Sequence, residues 1–393
     1  MIRKIRIQDI QELFKKRKDD THKGNFGKVG ILGGSIKYSG VIKLAYMSLS
    51  SLRSGCGLVR VIVPENIVSS IVPCLLEQTL YPYHYLEDIK KAIYDLDVLA
   101  IGMGWSSNEE HLSILRFILE NFEGKIVIDA DGLNTLVGHL EWLKTSKAKI
   151  ILTPHLKEFS RLTGLDITEI KERNFELVKS FAQEYQVILL LKGHTTIVSD
   201  GKETYTISYG GAGMATSGSG DVLSGILAGM LAYQDFNLLT ISAGVLLNGL
   251  AGEIAQEKNT DIGMIASDTV QCIPEAIKKI RNDSVVTFLD FLKLDIRVGT
   301  IVEAKEFPEA KKKAYQLKID FGKELGIKNS SAQITDLYSI EELIGKQILA
   351  VVNFPKKQIA HFMSEVLVLG IYNQNGVVLI EPNKFVNNGE KLG

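Results

Sequence analysis

The strongest constraint on the fold is an alternation of short apolar runs with longer helical patterns between Gly27 and about Ile280. Apolar runs of this kind, rich in Val, Ile and Leu, are typical of strands buried on both faces of a parallel sheet. The helical patterns that follow most of them would cover those faces through right-handed crossovers. The sequence therefore predicts an α/β fold with a doubly wound sheet. Its strands are expected at Lys28–Leu32, Leu58–Val63, Val98–Ile101, Lys125–Asp129, Lys149–Thr153 and Val187–Leu191.

The longer patterns between these runs predict the helices. The most apolar stretch, Val222 to Ala255, is interrupted by Asp235, Asn237, Asn248 and Glu253, which is typical of two buried helices and not of a membrane span. The N-terminal residues carry repeated charges and lack the apolar core of a signal peptide. We therefore expect a cytoplasmic protein that does not contact a membrane. The predicted helices are Val41–Arg53, Glu109–Asn121, Leu133–Leu136, Ile167–Tyr185 and Asp221–Tyr233.

The pattern changes around Arg281–Thr287, where polar residues end the last helix. Beyond this point, alternating or β-branched runs are separated by Gly, Pro and Asn, as in a small β-barrel. We therefore expect two domains, residues 1–284 and residues 285–393, the second of ordinary single-domain size. Strands of the second domain are predicted at Asp295–Ala304, Ala314–Phe321, Gln347–Phe354, Glu365–Ile371 and Gly376–Glu381.

Composition excludes several classes of protein. The 45 Lys and Arg residues are balanced by 46 Asp and Glu, and the net charge of −1 argues against a histone-like protein while leaving room for a local basic patch. The three cysteines, Cys56, Cys74 and Cys272, are widely spaced and form no CxxC motif. Neither a disulfide framework nor a zinc knuckle is therefore expected, which suits a reducing cytosol.

The clearest motif is the segment Thr216–Asp221 (Thr-Ser-Gly-Ser-Gly-Asp), which opens an apolar helix. Its glycines and the helix N-terminus would point several N–H groups at a transferring phosphoryl group. Asp221 could accept a proton from an attacking hydroxyl. An ordinary glycine turn with Asp221 as the N-cap explains the same residues.

Three more groups follow predicted strands, where an α/β sheet binds its ligands. Lys192, followed by Gly-His-Thr-Thr, could meet a phosphate, or the segment could simply turn between two strands. His155 could bind substrate or exchange a proton, with Glu158 on the first turn behind it. The last group carries oxygen ligands that suit Mg²⁺ bound through water, or are merely solvated: Asp129, Asp131 and Asn134.

Two further glycine clusters, beginning at Gly30 and Ile101, also follow predicted strands. Neither matches GxGxxG or the phosphate loop GxxxxGK[ST], so neither a dinucleotide fingerprint nor a P-loop is supported. Six clusters rich in glycine or acidic residues thus fall at strand ends. That coincidence favours one functional site over six separate structural turns.

Together these segments resemble the NAD(P)H-hydrate dehydratase family of the ribokinase-like superfamily. The resemblance spans about residues 1–280 and is most specific at Gly211-Ala-Gly-Met-Ala-Thr-Ser-Gly-Ser-Gly-Asp-Val-Leu. It implies a ribokinase-like sheet and the repair of hydrated NADH and NADPH by dehydration, driven by ADP, which gives AMP and phosphate, or by ATP. The other matching segments are His22-Lys-Gly-Asn-Phe-Gly-Lys-Val, Gly33-Gly-Ser, Ile128-Asp-Ala-Asp-Gly-Leu-Asn, Thr153-Pro-His and Lys192-Gly-His-Thr-Thr.

The resemblance also implies a role for each site residue. Asp221 would be the catalytic base that deprotonates the ring hydroxyl as it attacks the phosphoryl group, and loss of phosphate would then restore the dihydropyridine. Mg²⁺ is expected as a cofactor, with no direct protein ligand. The implied contacts are Val41, Gly104, His155 and Asp221 for the substrate; Lys192, Gly193, His194, Thr195, Thr196 and Gly220 for the nucleotide; Gly218, Ser219 and Gly220 for an anion hole; and Asp131, Asn134 and Glu158 for phosphate or Mg²⁺.

The sequence also departs from the family pattern. Val41 stands where alanine is common, Asn248 replaces a more usual histidine, and Gly211-Ala-Gly lacks a common asparagine. Two other functions therefore stay open. A small-molecule kinase would use the same glycine loop and aspartate but accumulate a stable phosphoester. A non-catalytic RNA-binding or chaperone protein is the second alternative, against which the joint presence of the candidate site residues argues.

The second domain resembles CsaA, a bacterial family related to the tRNA-binding domains appended to some aminoacyl-tRNA synthetases. The match includes Phe291-Leu-Lys-Leu-Asp-Ile-Arg-Val-Gly and Val352-Asn-Phe-Pro-Lys-Lys-Gln-Ile-Ala-His-Phe-Met. It implies an all-β OB-fold barrel, a homodimer or higher homo-oligomer, and either tRNA binding or a chaperone role. Tyr315, Phe354 and Phe362 could stack on bases, or belong to the core beside a solvated loop. The lysines expected to meet tRNA are Lys311, Lys312, Lys313, Lys356 and Lys357.

Overall fold

The computed structural model describes residues 2–36, 41–105, 109–281 and 288–393, with the backbone alone for residues 41–46 and 289. The predicted substrate contact through the side chain of Val41 and the polar segment predicted at residues 282–287 lie outside the described residues. The chain divides into two units, Met1–Ser284 and Val285–Gly393.

A ten-stranded sheet forms the centre of the first unit. Its strands are β1 (Ile2–Lys4), β2 (Lys28–Leu32), β3 (Leu58–Pro64), β4 (Thr79–Tyr83), β5 (Val98–Ile101), β6 (Lys125–Ile128), β7 (Lys149–Leu152), β8 (Ile188–Leu191), β9 (Thr196–Ser199) and β10 (Thr204–Ile207). Strands β2 to β8 are parallel, in the spatial order β4-β3-β2-β5-β6-β7-β8. β9 is antiparallel to β8 and β10, and β1 is parallel to β10. The predicted doubly wound sheet is confirmed, with an added edge that sequence analysis missed.

Helices cover both faces of this sheet, since side chains alternate between the faces along each strand. Val29 and Ile31 pack on one face with helices α2, α3, α11, α12 and α13, whereas Leu32 packs on the other face with α4 to α10. The helices are α1 (Ile7–Ile10), α2 (Val41–Arg53), α3 (Val68–Ile71), α4 (Leu86–Ile93), α5 (Glu109–Asn121), α6 (Asp131–Thr135), α7 (Glu141–Thr145), α8 (Leu156–Thr163), α9 (Ile167–Glu172), α10 (Asn174–Tyr185), α11 (Ser219–Leu231), α12 (Leu238–Gly263) and α13 (Ala266–Arg281).

The most apolar stretch forms two helices, α11 and α12, as predicted. Among the described residues, α12 is the helix that is long and apolar enough to cross a membrane. Its apolar window is 89% buried inside the first unit, and its geometry leaves the helical region at Thr260. Both helices therefore belong to the hydrophobic core, where residues such as Ile226 and Leu246 are fully buried.

The second unit is an all-β barrel that is nearly closed. Five strands pair in the order β13-β12-β11-β14-β17, all antiparallel. The Glu365 N–H donates to the Asn329 carbonyl at 2.8 Å, and Ser330 Oγ donates to the Val366 carbonyl at 2.9 Å, which joins the two edges. The elements are α14 (Phe288–Leu292), β11 (Ile296–Glu306), β12 (Tyr315–Asp320), α15 (Gly322–Leu325), β13 (Ile327–Ala332), α16 (Ile340–Leu343), β14 (Gln347–Val351), β15 (Lys357–Ile359), β16 (Phe362–Ser364), β17 (Leu367–Val368), β18 (Gly370–Asn373) and β19 (Gly376–Leu379).

Two elements that were predicted to be continuous are each divided in the structure, so these two predictions are wrong. The helix predicted over Ile167–Tyr185 is two helices, α9 and α10, that meet at Arg173, whose φ of −118° and ψ of 23° are not helical. The strand predicted over Glu365–Ile371 is divided between β17 and β18. In both places the pattern of apolar residues continues across a break in the backbone, so the pattern could not reveal the break.

Candidate active site

The candidate site lies at the carboxyl ends of β6, β7 and β8, where a parallel sheet presents the residues that follow its strands. Asp129 follows β6, and Lys192 follows β8. The backbones of His155 and Lys192 pair as a parallel bridge, and the Lys192 N–H donates to the Pro154 carbonyl at 2.8 Å. The sheet itself, and not a free loop, therefore fixes where these side chains begin.

Lys192 and Asp129 form a buried ion pair. Lys192 Nζ lies 2.7 Å from Oδ1 of Asp129, whose side chain is 3% exposed. Oδ1 also accepts from the Ala130 N–H at 2.9 Å, and Oδ2 accepts from Ser224 Oγ at 2.7 Å. Burial would raise the pKa of Asp129, but the Lys192 charge and these hydrogen bonds outweigh burial and lower that pKa below its usual value. Asp129 is thus charged, with both oxygens already engaged.

Three carboxylates surround the ammonium group of Lys192. Besides Asp129, Glu158 Oε2 lies 3.8 Å from Nζ, and the charge of Asp221 also acts on it. Burial would lower the pKa of Lys192, yet the carboxylates outweigh burial and raise it. At Glu158, by contrast, burial dominates and raises the pKa of the carboxyl group. A phosphate arriving here would therefore meet a protonated lysine.

His155 is the N-cap of helix α8. Its Nδ1 accepts hydrogen bonds from the N–H groups of Lys157 and Glu158 at 3.0 and 3.2 Å, and its own N–H donates to Glu158 Oε2 at 2.8 Å. Nε2 lies 3.6 Å from Glu158 Oε1. Because Nδ1 is occupied as an acceptor, Nε2 is the ring nitrogen that remains for a substrate. The imidazole is half exposed, so a substrate can reach it.

Helix α11 directs its N-terminus at the ion pair. Its N-cap, Gly218, has a φ of +96°, which glycine adopts without strain. A Cβ added to Gly220 would lie 3.6 Å from Lys192 Nζ, so the helix backbone closely approaches the ammonium group. The Ser219 hydroxyl is buried without a hydrogen-bond partner among the described residues, and Asp221 is also buried. Unsatisfied N–H groups at a helix N-terminus attract anions, so the arrangement suits a phosphoryl group.

A cleft of about 650 Å³ opens beside the ion pair. Its floor includes Asn248, whose Oδ1 is buried with no hydrogen-bond partner among the described residues. The loop above is tied to α12, because Gly210 N–H donates to Glu253 Oε1 at 2.8 Å and Gly213 N–H donates to Gln256 Oε1 at 3.0 Å. Apolar walls next to a cationic end suit a base and its phosphates. The apolar walls include Met214, Leu223 and Val245.

The predicted nucleotide contacts line this cleft or border it. Lys192, Gly193, His194, Thr196 and Gly220 all line it. Thr195 lies in the same turn between β8 and β9, with its Oγ1 3.0 Å from Ser208 Oγ. The sequence left two interpretations of this segment, a turn between two strands and a contact with a nucleotide. The turn is present. Because the same segment borders the cleft, the turn does not exclude a contact with a nucleotide.

Other predicted residues lie on neighbouring elements. Asn134 Nδ2 donates to Asp131 Oδ1 at 3.2 Å on helix α6, and Arg161 Nη1 of α8 donates to Asn134 Oδ1 at 3.0 Å. Gly104 lies in the turn after β5, and its carbonyl accepts from Ser35 Oγ at 2.9 Å. These residues are held in place by contacts of their own, and the ion pair of Lys192 includes neither Asp131 nor Asn134 among the contacts described.

Sequence reasoning missed Ser224 and the pairing of Asp129 with Lys192. Ser224 comes four residues after Gly220, and this spacing places both on one face of a helix. Since Gly220 was already a candidate, the spacing could have identified Ser224. The pairing of Asp129 with Lys192 spans 63 positions in the sequence, and no local pattern reports such a contact.

In the second unit, the five candidate lysines are all exposed. Lys313 and Tyr315 line a cleft of about 350 Å³ that also contains Glu306 and Asp336. Lys356 Nζ lies 2.8 Å from Glu365 Oε1. Because these carboxylates lie near the candidate lysines, the surface that carries the lysines is less positive than the number of lysines alone suggests.

The three aromatic residues proposed for stacking have different surroundings. Phe354 is 44% exposed. Phe362 packs edge-on against Phe307, with ring centroids 5.6 Å apart. The Tyr315 hydroxyl donates to the Tyr338 carbonyl at 3.1 Å. Phe354 is therefore the one with a ring most available to a base.

The strand ends of this α/β sheet hold a buried lysine, and a helix opened by glycine is aimed at that lysine, an arrangement that suits a phosphoryl group. Residues 29–275 match the family model described as NAD(P)H-hydrate dehydratase, and residues 296–391 match a tRNA-binding domain model. The chain belongs to the NAD(P)H-hydrate dehydratase family.

Comparison with individual proteins agrees with this assignment. The ADP-dependent (S)-NAD(P)H-hydrate dehydratase of Cenarchaeum symbiosum is 34% identical over 70% of this chain and 97% of its own length. The crystal structure of the ADP/ATP-dependent NAD(P)H-hydrate dehydratase of Bacillus subtilis, co-crystallised with ATP and Mg²⁺, is 25% identical, with a TM-score of 0.62 over 71% of this chain and 98% of that one.

The second unit and the chain length give two further comparisons. The chaperone CsaA of Bacillus anthracis is 55% identical over 28% of this chain and 100% of that one, with a TM-score of 0.27. Bifunctional NAD(P)H-hydrate repair enzymes are also relatives, and the chain spans about half of their length, 52% to 53%.

Proposed function

We propose that the first unit dehydrates the hydrated forms of NADH and NADPH and uses ADP, giving AMP and phosphate, or ATP. The observation that supports this most is the approach of Gly220 to Lys192 Nζ at the N-terminus of α11, in a chain of the dehydratase family. Lys192 and the helix N-terminus would hold the terminal phosphoryl group, and the apolar cleft would hold the base.

Asp221 is proposed as the base. Its carboxylate takes the proton of the ring hydroxyl while the hydroxyl oxygen attacks the terminal phosphorus, and the nucleotide leaves with the electron pair of the broken P–O bond. The nitrogen lone pair of the ring then expels phosphate to give an iminium ion, and loss of a proton from the neighbouring ring carbon to water restores the dihydropyridine. N–H groups of Gly218, Ser219 and Gly220 would stabilise the negative charge that grows on the phosphoryl oxygens.

Mg²⁺ would neutralise phosphate charge in this proposal. Within the described ranges, no three His, Cys, Asp or Glu side chains gather into a metal site, and the oxygens of Asp129 are engaged by Lys192, Ser224 and Ala130. In this proposal the ion is held by the nucleotide phosphates, with Asp131, Asn134 and Glu158 reaching it through water.

The first prediction concerns Asp221→Asn. The amide fills the same space but cannot take a proton, so we expect nucleotide binding and the folded state to be retained and dehydration to fall by at least ~10²-fold, the usual contribution of a general base. Recovery of NADH absorbance from hydrated NADH, with ADP or ATP, measures the rate. A turnover equal to that of the parent protein would exclude Asp221 as the base.

The same assay separates the dehydratase from a small-molecule kinase. A dehydratase releases phosphate and free NAD(P)H in equal amounts, whereas a kinase accumulates a phosphoester that keeps the phosphoryl group. Consumption of nucleotide that exceeds both phosphate release and NAD(P)H recovery, with a stable phosphorylated product, would favour the kinase.

We propose that the second unit binds tRNA, on the support of the matched tRNA-binding domain model and of its exposed candidate lysines, of which Lys356 and Lys357 follow the exposed Phe354 in the sequence. The second prediction is that K311A/K312A weakens tRNA binding and lowers its dependence on salt, because phosphate contacts release counterions. The matched control, K323A/K384A, removes two other exposed lysines of the same unit. Equal binding by both variants would exclude the loop at residues 311–313 as a tRNA contact.

A further inference from the structure

One cleft of the first unit lies away from the candidate active site. It has a volume of about 900 Å³ and is lined by the segment 12–18, by Phe26, by the ends of α2 and α13, and by Tyr233 and Gln234 beyond α11. Helix α11 begins at the candidate site and has 13 residues, a length of about 20 Å. A ligand in this cleft would therefore not compete with a nucleotide for space.

The cleft is strongly positive, although the first unit as a whole is not. Among the lining residues that the structure describes, one is acidic, Glu12, and its carboxylate is 2.7 Å from Lys15 Nζ. Seven basic side chains line it: Lys15, Lys16, Arg17, Lys18, Arg53, Lys278 and Arg281. Asp19 and Asp20 follow in the sequence but are not part of the lining.

Helix dipoles explain only some of these charges. Arg53 and Arg281 lie in the last turns of α2 and α13, where a positive side chain offsets the helix dipole. Lys16, Arg17 and Lys18 come after the short 3-10 helix Gln11–Phe14 and lie in no helix. No helix dipole therefore accounts for their concentration at the rim of the cleft.

Two of the arginines are fixed in position. The Arg17 guanidinium lies 3.6 Å from the centre of the Phe26 ring and donates to the Gly55 carbonyl. Arg281 donates to the Phe14 carbonyl through Nε and to the Lys15 carbonyl, at 2.9 Å, through Nη2. Cations that are already ordered lose less conformational freedom when they bind. The free face of an arginine that is stacked on an aromatic ring can also receive a base.

We infer that this cleft, which we call the basic cleft (the residues lining it given above), binds the phosphate backbone of RNA. A dense group of lysines and fixed arginines matches a chain of phosphates, and the same polypeptide carries a tRNA-binding domain. Two RNA contacts on one chain would strengthen binding through effective concentration. A second copy of this chain is a poor occupant, because a two-fold contact would place like charges against each other.

The test uses the full chain and fluorescently labelled tRNA, with binding measured between about 50 and 200 mM salt. K16A/K18A/K278A removes three exposed lysines of the basic cleft and leaves Arg17 and Arg281 in place. We expect its affinity to fall about tenfold or more, and the slope of log K against log salt to become shallower by about 2, the sum of three phosphate contacts.

The matched control is K171A/K179A/K202A, which removes three exposed lysines outside the cleft and changes the net charge equally. An unchanged slope in the cleft variant, or an equal loss in the control, would overturn the inference. So would displacement of tRNA by inorganic tripolyphosphate that is as effective, per phosphate, as unlabelled tRNA, since a small anion would then be the ligand.

The result can be separated from the function proposed above. Dehydration by K16A/K18A/K278A should equal that of the parent protein, since the variant is far from the candidate site. If K311A/K312A alone abolishes tRNA binding at every salt concentration, the barrel carries all of the binding and the inference fails. If that variant has no effect and the cleft variant does, the inference holds without the role proposed for residues 311–313.

Discussion

At Asp129, a carboxylate keeps its charge although its side chain is almost fully buried. It does so because Lys192, Ser224 and the Ala130 N–H satisfy its oxygens. A buried ion pair of this kind contributes modestly to stability as a pair, but the removal of one partner leaves a charge without compensation. The pair therefore makes the position of Lys192 part of the folded core, so that the ammonium group is ready for an anion before one arrives.

The third prediction follows for Lys192→Met. Without the lysine charge, burial outweighs the remaining hydrogen bonds of the Asp129 carboxylate and raises its pKa. Because this leaves a buried charge without compensation, we expect the free energy of unfolding at about pH 7 to fall by about 3–5 kcal/mol. In the parent protein, the lowered pKa of Asp129 means that its contribution to stability is present above its unfolded pKa and is lost as the pH falls. In the variant the sign reverses: a raised pKa makes the protein more stable as the pH falls.

Urea unfolding between about pH 3 and about pH 7 measures this change of sign, because the parent loses the contribution of Asp129 only below its unfolded pKa of about 4. The double variant D129N/K192M removes both charges and should recover much of the lost stability. A Lys192→Met protein whose pH dependence matches that of the parent would show that Asp129 finds another cation.

At the scale of elements, the two glycines at the start of helix α11, Gly218 and Gly220, are under different constraints. Gly218 needs its φ of +96°, and a Cβ there would also lie 3.1 Å from that of Ala266. Gly220 has no such backbone requirement, and a Cβ there would meet Lys192 Nζ and Asp129 Oδ2 at 3.6 and 3.8 Å, which are ordinary contact distances. The fold therefore does not need glycine at 220, whereas a phosphoryl group beside Lys192 does need the space.

The fourth prediction is that Gly220→Ala weakens the binding of the nucleotide without a loss of stability. Alanine restricts the unfolded chain and suits a helix, so we expect unfolding free energy to stay the same or rise by up to about 1 kcal/mol. The added methyl group narrows the anion site, so the KM for ADP or ATP should rise about tenfold (~1.4 kcal/mol). Gly218→Ala is the contrasting variant and should lose stability. An unchanged KM for the nucleotide in Gly220→Ala would mean that no phosphate lies there.

Elements with a strong apolar pattern could be predicted from the sequence, and elements set by long-range pairing could not. β2 and β5 have the predicted bounds, because both are buried runs without polar interruption. The edge strands β1 and β10 were not predicted, since β1 finds its partner about two hundred positions away, and β9 was present only in one of the two interpretations of the segment after Lys192. The break at Arg173 was missed because its guanidinium bonds Glu169 and Glu176, at 2.7 and 2.8 Å, and so continues the polar face of a helix.

At the scale of the whole molecule, the two units have separate hydrophobic cores. The two clusters of the first unit and the two clusters of the second share no residue among those described. Trp105 and Trp142 are the two tryptophans of the chain, and both belong to the first unit. Tryptophan fluorescence therefore reports on the first unit, while calorimetry reports on both.

The fifth prediction is that the two units respond to different ligands on heating. Enthalpy of unfolding scales with length, so the transition of Met1–Ser284 should be about two and a half times larger than that of Val285–Gly393. ADP at about a hundred times its Kd adds about 2.7 kcal/mol to a state that binds it. That should raise the midpoint temperature of the larger transition by about 5 °C, followed by tryptophan fluorescence, and leave the smaller transition unchanged.

The same measurement with tRNA distinguishes one binding site from two. If RNA occupies the basic cleft as well as the barrel, the midpoints of both transitions should rise, whereas binding at the barrel alone raises only that of the smaller transition. A single transition that moves with ADP would show that the two cores unfold together, and would contradict the division of ligands between them.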